Sequence, residues 1–249
     1  MVFNVAAVTN GEAAVNVLGQ PTFTTNTAAT AQTGLRSPRG VAVDASSRLF
    51  VADTNNHRIM VFNIASISDG EAAINVLGQA NFTSGSSSLA QNRLSGPRGA
   101  ALVGNLLYIG DSTNNRIVVF DIASITNGEN AFAVLGQASF TTQTAATSQT
   151  GLRNPSGLVI DPATGRLFVA DMNNHRVTIF DVAAITDGEN AVNVLGQLNF
   201  ASGASATTQG RMYWPKGPIR CFVLTTALSL RSGSIGNDHR RRRGSGAGR

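Results

Sequence analysis

The chain is 249 residues long, 42% apolar and only 13% charged, which is enough apolar residue for a core and too little charge for a mostly disordered chain. No apolar run reaches the ~18 residues of a membrane-crossing helix, and the single cysteine, Cys221, excludes an internal disulfide framework and a four-cysteine zinc site. The net charge of +5 is unevenly placed: residues 1–210 carry 10 arginines against 13 carboxylates, a net −3, and residues 211–249 carry 9 basic residues against one aspartate, a net +8. The basicity therefore describes a tail and not a folded face, which argues against a nucleic-acid partner.

The opening stretch, Met1 to Gly11, aligns position by position with Met60 to Gly70, so residues 1–20 read as half of a repeated unit. The string VLGQ that closes this half begins at Val17 and returns at Val76, Val134 and Val194, with spacings of 59, 58 and 60. A Pro-x-Gly element at Pro38, Pro97, Pro155 and Pro215 keeps the same spacings. Between the two markers lies an Asp-x-x-Asn-x-Arg element, at Asp53, Asn56 and Arg58, then Asp111, Asn114 and Arg116, then Asp171, Asn174 and Arg176. Constant order at constant phase marks one unit copied in tandem. The units run over about 38–79, 97–137 and 155–197, with another starting at 215.

Each unit is predicted to hold four short strands. The first follows Pro-x-Gly (Val41–Asp44, Ala101–Val103, Leu158–Asp161) and the second is Leu49–Ala52, Leu107–Gly110 and Leu167–Ala170. The third is Ile59–Ile64, Ile117–Ile122 and Val177–Val182, and the fourth is the VLGQ segment with the residues before it. β-Branched and aromatic residues bounded by Gly, Pro, Asn and Asp support strands, and no long stripe of helical period competes. Ile117 to Phe120 is apolar without a break, so that strand must be covered on both faces. Four-stranded antiparallel sheets stacked face to face around an axis meet this demand, which gives an all-β fold, a β-propeller. Ala52, Gly110 and Ala170 close the second strands; crowding near the axis and a simple turn requirement each explain a small residue there.

The ordered pattern P-x-G-[VL]-x-[VI]-D followed by L-F-V-A-D-x-x-N-H-R-[IV]-x-x-F, read at 38–62 and 155–180 with a looser copy at 97–120, resembles the NHL repeat. The resemblance covers roughly residues 1–217 and implies a propeller, usually of six blades and less often of five. Three full units and partial ones depart from that number, so an open arc is expected, with self-association through its unclosed edge as a consequence.

The Asp-x-x-Asn-x-Arg element is expected to hold a hairpin, its carboxamide and carboxylate bonding nearby main chain and its guanidinium forking onto the aspartate. His57 and His175 share one position of this turn, with Asn115 between them; a surface-turn role and a shared metal are the two readings. Inside Pro-x-Gly stand Arg39, Arg98, Ser156 and Lys216. Arg39, Arg98 and Lys216 are either a partial ring of positive charge for an anionic ligand at the channel mouth or solvated turn residues. The segments 21–37, 80–96, 138–154 and 198–214 are long loops rich in Thr, Ser, Ala and Gln. Each carries a Phe (Phe23, Phe82, Phe140, Phe200) and a later Leu or Met (Leu35, Leu94, Leu152, Met212) expected to pin it to its own blade. Their exposed parts are the first place to seek a partner. Asn81-Phe82-Thr83 is the one glycosylation sequon, and alone it decides nothing about compartment.

After Gly217 the repeat pattern breaks, and residues 218–249 read as a basic irregular tail, either a disrupted reading frame or a genuine interaction tail. The start inside a unit, without a signal peptide, is likewise either a deliberate half blade or an interrupted gene. No nucleophile–base pair, metal set or cofactor fingerprint stands out, so catalytic residues, metals and cofactors are expected to be none. The expected function is a non-catalytic binding or scaffold module with a protein or peptide ligand. The alternatives are a propeller lyase or hydrolase with a channel site and single-stranded RNA binding. Ser/Thr-rich loops with almost no cysteine or lysine favour an exported bacterial-type product.

Overall fold

The computed structural model describes residues 1–4, 6 and 9–215. Lys216 and the predicted tail at 218–249 lie outside the described residues. Among the described residues three four-stranded antiparallel sheets follow one another. The first holds β1 (Pro38–Val43), β2 (Arg48–Asp53), β3 (Arg58–Asn63) and β4 (Asn75–Leu77). The second holds β5 (Pro97–Val103), β6 (Leu106–Asp111), β7 (Arg116–Asp121) and β8 (Ala133–Leu135). The third holds β9 (Pro155–Asp161), β10 (Arg166–Asp171), β11 (Arg176–Asp181) and β12 (Asn193–Leu195). Each second strand passes into its third through one 3₁₀ turn, at Thr54–Asn56, Ser112–Asn114 and Met172–Asn174.

The sheets stack because their central strands are apolar on both faces. Along β7, Val118 and Phe120 pack with Phe50, Ala52, Ile59 and Val61 of the first sheet. The alternate residues Ile117 and Val119, with Tyr108, pack with Leu167, Val169 and Phe180 of the third. Period-two alternation thus serves two cores from one strand. Each of the Val, Ile, Leu and Phe side chains among these contributes roughly 1.5–3 kcal/mol on burial. The described blades form an open propeller arc. At its first end, Val2 bridges Asn16, and Leu18 packs on the cluster of Leu35, Val51, Met60 and Phe62.

Two predicted boundaries shift. The first strands begin at the proline of Pro-x-Gly, not after its glycine, with register breaks between Pro38 and Val41 and between Pro97 and Ala100. An extra residue there lets the strands start three or four residues earlier than alternation indicates. The fourth strands stop at the leucine of VLGQ, because Gly78 turns left-handed at φ +80. A Cβ on Gly78 would also meet Leu94 Cδ1 at 2.5 Å, so glycine is required there twice over.

The first strands of neighbouring blades converge. A Cβ on Gly40 would lie 2.2 Å from the Arg98 carbonyl oxygen, and one on Gly99 would lie 2.3 Å from that of Ser156. The glycine of Pro-x-Gly is therefore set by backbone-to-backbone approach between blades. At Gly110 the nearest atom, Pro155 O, would be 3.4 Å away. That gap accepts a methyl group, and the alanines at the equivalent positions 52 and 170 are fully buried.

Candidate functional site

The repeated polar residues are spent inside the fold. Arg58, Arg116 and Arg176 are fully buried. Each donates from Nε to an aspartate Oδ2 at 2.7 Å, in Asp53, Asp111 and Asp171. The expected two-pronged fork onto the aspartate does not form. The remaining guanidinium donors go to loop carbonyls, because buried N–H groups need acceptors and the loops have carbonyls to satisfy. Arg116 donates to Leu89 O at 3.1 Å and Arg93 O at 3.0 Å in the preceding loop, and to Phe140 O at 2.7 Å in the following one. Arg58 reaches Ala31 O, Gly34 O and Phe82 O. Arg176 reaches Ser148 O, Gly151 O and Phe200 O. Each arginine thus ties together the loops on both sides of its hairpin, where the sequence pointed to pinning within one blade. Leu35, Leu94 and Leu152 are buried as expected, whereas Phe23 is 45% exposed.

The other members complete this network. Asp53 Oδ1 accepts Arg36 N at 2.6 Å, Asp111 Oδ1 accepts Ser95 N at 2.6 Å and Asp171 Oδ1 accepts Arg153 N at 2.7 Å. Asn56, Asn114 and Asn174 each donate to the same aspartate and to a loop carbonyl. Burial pushes the Asp111 and Asp171 carboxyls upward against the lowering pull of their arginines.

The residue after each 3₁₀ turn is left-handed: His57 (φ 53), Asn115 (φ 55) and His175 (φ 52). Its side chain accepts a backbone N–H from the start of the next blade. Gly96 N donates to His57 Nδ1 at 2.9 Å, Asn154 N to Asn115 Oδ1 at 2.8 Å and Trp214 N to His175 Nδ1 at 3.0 Å. A neutral imidazole and a carboxamide are interchangeable there as acceptors, which explains the asparagine in the middle copy. This contact gives the turn residue a structural role, joining its hairpin to the next blade through Nδ1. Among the described residues no group of three or more His, Cys, Asp or Glu is placed to hold a metal.

Two further repeated contacts escaped the sequence reading. The glutamine of VLGQ bonds the carbonyl of the left-handed residue, Gln79 to His57 O and Gln137 to Asn115 O, both at 3.0 Å. Asp69, Asn127 and Asp187 cap Val17 N, Val76 N and Val134 N at 2.9 Å, each from the neighbouring unit. The signal for both was their constant phase in the repeat.

With the repeated residues engaged, the unspent polar groups gather elsewhere. A cleft of about 920 Å³ runs along the converging first strands, lined by Arg39, Arg98, Asn154, Ser156 and Trp214 over an apolar floor that includes Val41 and Leu158. The structure brings Arg39 and Arg98 together, so closely that burial and the Arg39 charge both lower the proton affinity of Arg98. Ser156 Oγ and Asn154 Oδ1 are buried and have no hydrogen-bond partner among the described residues. Asn154, Ser156 and Trp214 were not among the expected ligand residues. Their unit-to-unit variation at fixed repeat positions was the available signal.

The family model of the NHL repeat matches residues 35–62, 94–120 and 152–180. No curated protein sequence matches the chain. Among solved structures it is similar to the nidogen/laminin complex, with 23% identity over 59% of this chain and 44% of that one and a TM-score of 0.38. The WD40 repeats of RRP9 give 16% identity over 64% of this chain and 38% of that one, with a TM-score of 0.43. Hydrazine synthase of Kuenenia stuttgartiensis gives 14% over 68% and 38%, with a TM-score of 0.45. The chain spans less than half the length of each of these structures.

Proposed function

This chain belongs to the NHL-repeat family, and from that premise we propose that it is a non-catalytic binding and scaffold module whose ligand is a protein or peptide. One observation carries the reading. The polar residues common to all three blades are buried in hydrogen bonds to aspartate and loop carbonyls, so they are occupied in holding loops. Loops held by a rigid scaffold are where recognition concentrates. The Thr-, Ser- and Gln-rich surfaces of 21–37, 80–96 and 138–154, together with the cleft into which their ends lead, form the recognition face.

Panning a random peptide library on the immobilised chain tests this reading. The expected result is a small set of related peptides that bind saturably and compete with one another. Failure to enrich any sequence contradicts it. Tight single-stranded RNA binding that weakens steeply with salt would favour the nucleic-acid alternative, and a stoichiometric metal in the purified protein would favour the enzyme.

A specific observation favours self-association as a second property. Val41 and Val43 are 58% and 52% exposed on one face of β1. Sedimentation velocity across a wide concentration range should show reversible association that Val43→Asp abolishes. A monomer at every concentration rejects it.

A further inference from the structure

We propose that the axial cleft binds the free C-terminus of a peptide, taking its carboxylate between Arg39 and Arg98 and its last, apolar side chain against the cleft floor. This inference rests on the reading of the chain as a peptide-binding module and names the part of the peptide that is read.

The charges come first. Arg48, Arg58, Arg116, Arg166 and Arg176 all meet a carboxylate within 4.0 Å. Among the described residues Arg36, Arg39, Arg93, Arg98, Arg153 and Arg211 meet none, and of these Arg39 and Arg98 line one cleft. Two like charges beside a low-dielectric wall repel, and burial first and then the Arg39 charge lower the proton affinity of Arg98. An anion placed between them relieves both. The planar guanidinium matches a carboxylate edge to edge.

The polar groups beside them supply what a peptide end requires. Ser156 is 7% exposed and its Oγ has no partner among the described residues, so the hydroxyl is available to donate to a carboxylate oxygen. Asn154 Oδ1, also buried and unpartnered, is an acceptor. A carboxylate cannot fill it, whereas a neighbouring amide N–H can. One anionic group adjacent to one N–H is the chemistry of a peptide's last residue.

The apolar floor decides against a polyanion. Val41, Ala100, Leu158, Val159 and Ile160 line the same cleft as the two arginines. A chain of phosphates would leave charges unpaired against them, while one carboxylate on an apolar residue leaves none.

The chain carries its own reporter, because Trp214 lines the cleft and is the sole tryptophan. Its fluorescence is followed while the full chain is titrated with N-acetyl-glycyl-glycyl-leucine, the same peptide as its C-terminal amide, and 4-methylpentanoate, which has the carboxylate and the apolar body but no N–H. The free-acid peptide should bind saturably, with the amide at least tenfold weaker and the simple acid weaker than the peptide. Arg98→Gln and Arg39→Gln should each weaken the free-acid peptide at least tenfold, and Ser156→Ala severalfold, with melting temperatures unchanged. Equal binding of acid and amide, equal binding of peptide and simple acid, indifference to both arginine variants, or no binding by any probe overturns the proposal. Displacement of the peptide by single-stranded RNA does so as well. Library peptides that bind normally to the Arg39→Gln, Arg98→Gln double variant would place recognition on the loops, which sinks this inference and leaves the module reading standing. A library that yields nothing sinks the module reading itself.

Discussion

Arg116 and Asp111 are fully buried partners in which both charges have left water. Burial raises the Asp111 carboxyl even with the guanidinium beside it, so the desolvation cost is not outweighed by attraction. Such a pair stabilises little relative to apolar residues of similar shape, yet is costly to break on one side. Arg116→Met should therefore cost about 3–5 kcal/mol, read as a lowered urea midpoint, and pairing it with Asp111→Leu should recover much of the loss. A single variant within about 1 kcal/mol of the parent contradicts the assignment. His57 gives a second test. Burial and the Arg36 charge hold its imidazole below the ordinary range, against the pull of Asp53. The folded protein then takes up this proton at lower pH than the unfolded chain. Stability is full above about 6.5, the unperturbed value, and is lost as pH falls through that value toward the lower folded one. His57→Asn keeps the acceptor for Gly96 N and should flatten the melting-temperature profile below about pH 6.5. An unchanged slope would show that this hydrogen bond is not the acid-sensitive one.

Strands carry their own signature, and their interfaces carry a different one. The alternation along β7 and its lack of polar residues made a doubly covered strand legible from sequence. The start of β1, β5 and β9 at proline was not legible, because a bulge breaks the alternation on which the reading depends. The role of the glycine in Pro-x-Gly was hidden for a related reason: it answers to the backbone of the next blade, which no local pattern reveals. Gly99→Ala sets a methyl group 2.3 Å from Ser156 O and should cost at least 2 kcal/mol, near the upper part of the ~1–3 kcal/mol typical of overpacking. Gly110→Ala has 3.4 Å of room and should leave the thermal midpoint unchanged or raised. Equal effects of the two would mean that blade spacing is not fixed by these glycines. The loops were legible as loops. Their attachment was not, since each arginine spends one donor on its own hairpin and the others on residues 23 to 28 positions away.

Across the molecule, repetition and its exceptions divide the work. What recurs (Asp, Asn, Arg, the left-handed His or Asn, the glutamine of VLGQ) joins blade to blade and loop to hairpin. What differs at equivalent positions, Arg39, Arg98 and Ser156, faces the cleft. The sequence placed Arg39, Arg98 and Ser156 at one repeat position near the axis; the structure adds Asn154 and Trp214, whose loop-end positions carry no motif of their own. The whole arrangement depends on sheets covering one another, with β7 between two neighbours. Hydrogen–deuterium exchange on the intact chain measures that cover directly. The expected result is slowest exchange in β6 and β7, slower than in β2–β3 and β10–β11, with fast exchange in the loop at 21–33. Exchange of β7 as fast as that loop, or no faster exchange in the outer blades than in the middle one, would contradict a stack in which the central sheet is buried on both sides.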